Sequence, residues 1–136
     1  MMATSVLGSP RSGYQPGICN IGPAEIAARR RTGDIGALVT AIAFLLIIVT
    51  GAPIPWRLVL FLPASVAASG YLQARLRFCA KFGLRGVFNF SNRLRDTESV
   101  PAAEARAQDR RKALEIVSLA AFIGAATAIA AVLLPI

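Results

Sequence analysis

Three long stretches of this sequence contain no Asp, Glu, Lys or Arg, and they constrain the fold more than any other feature. They cover residues 35–56, 58–74 and 116–136. A helix rises about 1.5 Å per residue, so roughly 20 apolar residues are needed to cross a hydrocarbon core about 30 Å thick. The second stretch is short, but the flanking Arg57 and Arg75 can extend to the headgroups. We therefore predict three transmembrane helices.

The overall composition agrees with this prediction. Of the 136 residues, 55% are hydrophobic and 16% are charged, and the mean hydropathy is +0.58, whereas soluble domains carry about 25% charged residues. The alternative is a soluble fold that buries the first two stretches as a hairpin, and the missing polar outer face disfavours it. About thirty mostly polar residues precede the first stretch, which is unlike a cleavable signal peptide.

The positions of the basic residues predict the orientation. Fourteen of the fifteen Lys and Arg residues lie before the first stretch or between the second and third, and only Arg57 lies in the remaining turn. Cytoplasmic flanks accumulate Lys and Arg. We therefore expect a cell inner membrane protein with a cytoplasmic amino terminus and an outside carboxyl terminus. Because topology and attraction to anionic lipids account for the net charge of +8, nucleic-acid binding is not predicted.

The predicted fold class is an all-α membrane protein: a helical hairpin, a third long transmembrane helix and a short amino-terminal interfacial helix. Residues 1–22 are rich in Gly, Pro and Ser, which predicts a flexible tail. Pro23 and Glu25 suit the first turn of an interfacial helix over residues 23–31, which Gly33 and Asp34 would end.

The remaining boundaries follow from the same patterns. The hairpin spans are expected at about 35–52 and 57–75, and the basic, aromatic segment 75–92 is expected to be re-entrant or to lie along the interface. Residues 93–99 are predicted to form a cytoplasmic linker whose Ser99 caps a long helix over residues 100–136, with its span at about 116–135.

Small residues recur at a spacing of four in the third stretch. They are Ala120, Gly124 and Ala128. Such a stripe lets helix backbones approach closely, which is a main source of helix attraction in lipid. The stripe could pack the three helices of one chain together, or it could form the face of a homodimer or bind a membrane partner subunit. The predicted partners are thus the lipid bilayer and either a second copy of the chain or a membrane partner subunit.

Catalytic chemistry is poorly represented. The sequence has no His, no acid within any uncharged stretch and no recognisable metal or phosphate-loop motif, so we predict no enzyme, metal site or cofactor. The candidate thiol ligands are Cys19 and Cys79, both on the cytoplasmic side, where a structural disulfide is disfavoured. Each could be a buried packing residue or an exposed thiolate favoured by nearby cations. The residues predicted to contact an anion or lipid headgroup are Arg29, Arg30, Arg31, Arg77 and Lys81.

The residues around the two cysteines resemble a known family. Asn20-Ile21-Gly22, then Glu25, Arg29 and Gly33 ahead of an apolar stretch, and Phe78-Cys79 followed by Gly86, are similar to the motifs of the YgaP-like transmembrane domain family. The resemblance covers roughly residues 18–90 and implies a two-helix membrane domain over residues 23–92 that tends to dimerise. Some members are fused to a rhodanese domain that carries sulfur as a persulfide.

The chain departs from that family pattern in several places. It has no room for a rhodanese domain, it has Ile26 where members often carry Arg and Ala80 in place of a frequent Pro, and it adds a third helix. The enzymatic activity is therefore not expected here. Two function classes remain: a membrane accessory or interaction protein, and a protein that binds, relays or moves a reduced sulfur species through Cys19 or Cys79.

Overall fold

The structure, a computed structural model, describes residues 13–136 and is predominantly helical. Its elements are α1 (Pro23–Thr50), a 3-10 segment (Ile54–Leu60), α2 (Phe61–Leu76), α3 (Ala80–Arg85), β1 (Val87–Phe88), β2 (Glu98–Ser99) and α4 (Ala103–Leu133). The two short strands pair antiparallel, with Val87 opposite Ser99. The predicted all-α class is confirmed, and the strands form only a two-residue antiparallel pair between α3 and α4.

Two of the helices are long and apolar enough to cross a membrane. They are α1, with 28 residues, and α4, with 31 residues. Helix α2 has 16 residues and continues directly from the 3-10 segment, because Leu60 and Phe61 both have helical backbone angles. The two predicted hairpin spans thus correspond to α1 and to the 3-10 segment with α2.

Helix α1 runs without interruption through the positions predicted to end an interfacial helix. The separate helix over residues 23–31 is therefore wrong, although Pro23 and Glu25 do lie in the first turn. Gly33 lies against the ring of Tyr71, and the Tyr71 hydroxyl donates to Asp34 Oδ1 at 2.6 Å. A glycine costs a helix only about 1 kcal/mol, so these tertiary contacts are sufficient to keep the helix continuous. The helix ends instead at Gly51, which has a φ of 69°.

Helices α1 and α2 approach each other closely at glycines. A Cβ placed on Gly36 would lie 2.7 Å from the backbone nitrogen of Ala67, and Gly70 lies directly against the backbone of Gly33. Only glycine allows backbones this near, and such contact is the main attraction between helices in lipid. The crossing therefore fixes α1 on α2 near the charged end of both helices.

The small-residue stripe of α4 packs inside the chain. Ala120, Gly124 and Ala128 are all buried, and Gly124 lies against Ser65 and the carbonyl oxygen of Phe61. Of the two roles considered for this stripe, the structure shows intramolecular packing. Its small side chains are consequently not available to a second copy of the chain.

The charged end of the bundle carries a folded region, here called the head and defined as residues 13–22 and 77–115. Its core includes Tyr14, Phe88 and Val100 in one cluster and Phe78 with Ala113 in another. This corrects one prediction: residues 13–22 are packed rather than a flexible tail, while residues 1–12 lie outside the described part. Segment 75–92 contains the end of α2, α3 and β1.

The predicted linker and cap also differ from the structure. Glu98 and Ser99 of the linker form β2, so Ser99 does not cap the long helix. That helix starts at Ala103, with Ala102 preceding it in an extended conformation. Pairing with β1 offers the backbone of this segment hydrogen bonds that the sequence pattern alone did not reveal.

The opposite end of the bundle contains one buried cation. Arg57 is 4% exposed and its Nη1 donates to the carbonyl oxygens of Ala131, at 2.9 Å, and Leu134, at 3.1 Å, while Nη2 donates to Ile136. The last carbonyl groups of a helix have no partner within the helix. Arg57 therefore caps α4 and joins it to the 3-10 segment.

Candidate functional site

The two candidate cysteines lie in the head, where residues 13–22 cross the loop before α3. Asn20 joins the two segments: its Oδ1 accepts from the Cys79 backbone N–H at 2.7 Å and its Nδ2 donates to the Cys79 carbonyl at 3.2 Å. The Asn20 backbone N–H also donates to Arg77 O at 3.1 Å, and Asn89 N–H donates to Asn20 O at 3.0 Å. A buried asparagine with this many partners is a structural junction.

Glu25 provides a second buried connection. Its side chain is 2% exposed, and its Oε2 accepts from Asn89 Nδ2 at 2.8 Å and from the Arg95 backbone N–H at 2.6 Å. Its Oε1 lies 3.2 Å from Arg29 Nη2. A buried carboxylate needs this kind of full pairing to offset its desolvation. Glu25 therefore ties the first turn of α1 to the segment between the strands.

Arg29 also contacts the sulfur of Cys79. Its Nη2 donates to Cys79 Sγ at 2.9 Å, and its guanidinium carbon lies 5.6 Å from the centre of the Phe82 ring. Cys79 is only 1% exposed and packs with Ile21 and Phe82. The burial closes the sulfur to reagents in solution.

Cys19 has a different environment. It is partly buried, its Sγ–H donates weakly to Ile21 O at 3.8 Å, and both cysteines are free thiols. Burial raises the pKa of the Cys19 thiol above its usual range, which outweighs the hydrogen bond to Ile21 and the charge of Arg77. This shift favours the protonated thiol of Cys19 at neutral pH.

A cleft of about 900 Å³ opens beside Cys19, between residues 13–22, the start of α1 and the end of α2. Three arginines line it: Arg30, Arg75 and Arg77. Arg77 follows α2 directly and has a φ of 56°, a left-handed conformation that turns the chain toward α3. Among residues 13–136, no Asp or Glu lines this cleft, so its charge is positive.

The structure separates the five residues predicted to contact an anion. Arg30 and Arg77 line the cleft, together with Arg75, which was not among the predicted contacts. Arg29 is engaged by Glu25 and Cys79. Arg31 and Lys81 are exposed, the first on α1 and the second on α3, and neither lines the cleft.

The residues that carry the family resemblance each have a structural role here. Asn20 and Glu25 make the buried hydrogen bonds described above. Gly22 lies against the backbone of Phe90, because a Cβ placed on Gly22 would lie 3.1 Å from the Phe90 Cα. Gly33 lies under Tyr71, and Gly86 ends α3 with a φ of 71°. No protein-family model, curated protein or solved structure matches this chain. Membership of the YgaP-like family therefore stays a prediction.

A further buried polar pair was missed by the sequence reasoning. The Tyr14 hydroxyl donates to Asp109 Oδ2 at 2.6 Å, and the Gly17 backbone N–H donates to Asp109 Oδ1 at 2.7 Å. Asp109 is fully buried, and burial raises its pKa despite both hydrogen bonds. A signal was present: Asp109 lies four residues from both Ala105 and Ala113, on the same buried stripe of α4.

No group of three or more His, Cys, Asp or Glu within residues 13–136 could hold a metal ion. The side chains around the cleft beside Cys19 are instead three guanidinium groups, the thiol, the Gln15 amide and apolar residues. Such a set can bind an anion with an apolar portion.

Proposed function

We propose that this chain is a small integral protein of the cell inner membrane that acts as an accessory or interaction subunit. The observation that carries the proposal is the exposure of α1. Its apolar residues Leu38, Leu45 and Val49 are 61%, 60% and 72% exposed. Leaving a leucine in water rather than buried costs about 1.5–3 kcal/mol, so a helix like this is favoured only in lipid or against a partner.

The distribution of charge supports an orientation with the head in the cytoplasm. Apart from Arg57, the described Lys and Arg residues belong to the head, to the first turns of α1 or to the end of α2. Arg57 is at the other end, buried against the carboxyl-terminal residues of α4. Positive residues concentrate on the cytoplasmic side of inner-membrane proteins.

The second predicted span corresponds to the 3-10 segment together with α2. At about 2.0 Å per residue for a 3-10 helix and about 1.5 Å for an α-helix, the seven and 16 residues extend for roughly 38 Å in total. This length is enough to cross the hydrocarbon core.

An accessory role follows from what the chain lacks and exposes. The buried polar side chains Asn20, Glu25 and Asp109 are used in structural hydrogen bonds. By contrast, α1 has only Glu25, Gly33 and Gly36 buried. An apolar groove of about 610 Å³ also runs along α2 between α1 and α4. A second copy or another membrane subunit can pack a helix along these surfaces.

Photo-crosslinking in native membranes tests this proposal. A benzophenone amino acid is placed singly at Leu38, Ile42, Leu45 and Val49 on α1, with the exposed Asn92 position in the head as the control. We expect protein adducts at α1 positions that share one helical face, and none at the control. Adducts to lipid alone at every α1 position would contradict the accessory role, and extraction of the chain by alkaline carbonate would contradict membrane integration.

The sulfur-relay alternative has one favourable observation, the donation of Arg29 to the Cys79 sulfur. The alternative requires that sulfur to become accessible, which needs the contacts of Ile21 and Phe82 to open. Substituting Ser for both cysteines discriminates the two functions. The accessory function survives the double substitution with its α1 adducts unchanged, whereas a sulfur relay is abolished by it.

A further inference from the structure

The cleft beside Cys19 combines positive charge with an apolar wall. Its three guanidinium groups come from α1 and from the end of α2, and none of them forms an ion pair within the described part of the chain. Of the two carboxylates on α1, Glu25 is paired with Arg29 and Asp34 accepts from the Tyr71 hydroxyl. Arg30, Arg75 and Arg77 therefore present positive charge that the surrounding chain does not neutralise.

The position of the arginines along the helices matches the level of lipid phosphates. The uncharged stretch of α1 begins at Ile35, five residues or about 7 Å after Arg30, and the uncharged stretch of α2 ends at Ala74, directly before Arg75. If these stretches fill the hydrocarbon core, the guanidinium groups lie in the headgroup layer. Guanidinium groups bind phosphate oxygens with two parallel hydrogen bonds.

The remaining wall of the cleft suits a molecule that is not wholly polar. Ile18, Ile26, Leu76 and Phe90 line it, and Ile18 is 61% exposed. A site for a free inorganic anion has no use for these side chains, whereas the glycerol backbone and first methylene groups of a lipid would cover them. The volume of about 900 Å³ is far larger than a phosphate group needs.

We propose that this cleft is a binding site for an anionic phospholipid, with Arg30, Arg75 and Arg77 holding its phosphate and the apolar wall holding its glycerol region. The inference rests on the membrane integration proposed above and adds a specific ligand class to it. Cys19 lines the same cleft, so a bound lipid shields its thiol.

Native mass spectrometry of the detergent-purified chain tests the site. The chain is titrated with phosphatidylglycerol and with phosphatidylcholine of the same acyl chains, and separately with glycerol 3-phosphate and inorganic phosphate. The test variant is Arg30→Gln with Arg75→Gln and Arg77→Gln. Its control is Arg31→Gln with Arg85→Gln and Arg110→Gln, which removes the same charge from exposed positions outside the cleft.

We expect at least about tenfold tighter binding of phosphatidylglycerol than of phosphatidylcholine, lost in the test variant and kept in the control. Phosphatidylglycerol should also slow maleimide labelling of Cys19 in the Cys79→Ala variant by about tenfold, and phosphatidylcholine should not. Equal losses in both triple variants would overturn the site in favour of general charge attraction. Binding of the soluble phosphates as tightly as the lipid would overturn the lipid as the ligand.

The two proposals fail in different ways. A chain that resists carbonate extraction but binds both lipids equally overturns only the lipid site. A chain that carbonate extracts from membranes overturns the proposed function, whatever its lipid binding in detergent.

Discussion

Asn20 holds both backbone polar groups of Cys79, accepting from its N–H at 2.7 Å and donating to its carbonyl at 3.2 Å. The contact spans 59 positions of the chain and is fully buried. It fixes the segment before α1 against the loop that joins α2 to α3. The Cys79 side chain is thereby directed toward Arg29, which donates to its sulfur.

Replacing Asn20 by Ala should destabilise the head. The Cys79 carbonyl keeps a second donor, the Gly83 N–H at 2.9 Å, but the Cys79 N–H is left buried without an acceptor. An unsatisfied buried group costs about 1–3 kcal/mol. We expect a lower melting temperature in detergent by circular dichroism, by several degrees. The exposed Asn92→Ala is the control, and equal melting temperatures would show that Asn20 is not a junction.

Replacing Gly36 by Val should separate α1 from α2. The added Cβ would lie 2.7 Å from the Ala67 nitrogen, which is backbone and cannot move aside easily. Overpacking of this kind costs about 1–3 kcal/mol. Cysteine pairs introduced across the α1–α2 crossing should form less disulfide in membranes when Gly36→Val is present. The same pairs should form disulfide normally with Ala37→Val, which changes the exposed neighbouring position. Unchanged crosslinking in both would contradict the close crossing.

Replacing Arg57 by Met should loosen the carboxyl end of α4. The variant leaves the Leu134 carbonyl without its Arg57 donor, and the Ala131 carbonyl keeps only the Leu134 N–H at 3.4 Å, at a cost of about 1–3 kcal/mol. We expect faster hydrogen exchange over the last turns of α4, and no change in the Arg110→Met control. A more stable variant would mean that desolvation of the buried guanidinium outweighs its hydrogen bonds.

Asp109 should make the stability of the head depend on pH. Burial raises its pKa above the ordinary value of 3.8, so the folded chain binds more protons than the unfolded chain above about pH 4. The stability that the protonated Asp109 carboxyl confers on the folded chain therefore decreases as the pH rises from about 4 through the pKa of Asp109 in the folded state. In Asp109→Asn the contribution is absent, so the wild-type melting temperature relative to this variant should fall as the pH rises above about 4. A rising difference would contradict the direction of the shift.

The sequence predicted the helices better than it predicted the head. The stretches without charged residues correctly located α1, α2 and α4, because the length of such a stretch depends on local composition and not on long-range contacts. The break at Gly33 was wrong because the stabilising contact comes from Tyr71, 38 positions away. Residues 13–22 were wrongly predicted to be a flexible tail, because Tyr14, Asn20 and Ile21 make their contacts with distant segments of the chain.

The candidate site shows the same limit. Basic residues could be recognised as possible anion contacts from their sequence clusters, but which of them remain unpaired depends on tertiary contacts. Arg29 is taken up by Glu25 and Cys79, while Arg75 joins Arg30 and Arg77 at one cleft. Asp109 could have been found from its position on the small-residue stripe of α4.

Accessibility of single cysteines in whole cells tests the central claim, a membrane-spanning bundle with a cytoplasmic head. The two native cysteines are replaced by Ser, and one cysteine is introduced at Asn92 in the head or at Ala52 in the turn after α1. A membrane-impermeant maleimide is then applied to intact and to permeabilised cells. We expect labelling of Ala52→Cys in intact cells and of Asn92→Cys only after permeabilisation. Identical labelling of the two positions in both conditions, with both proteins present, would contradict it.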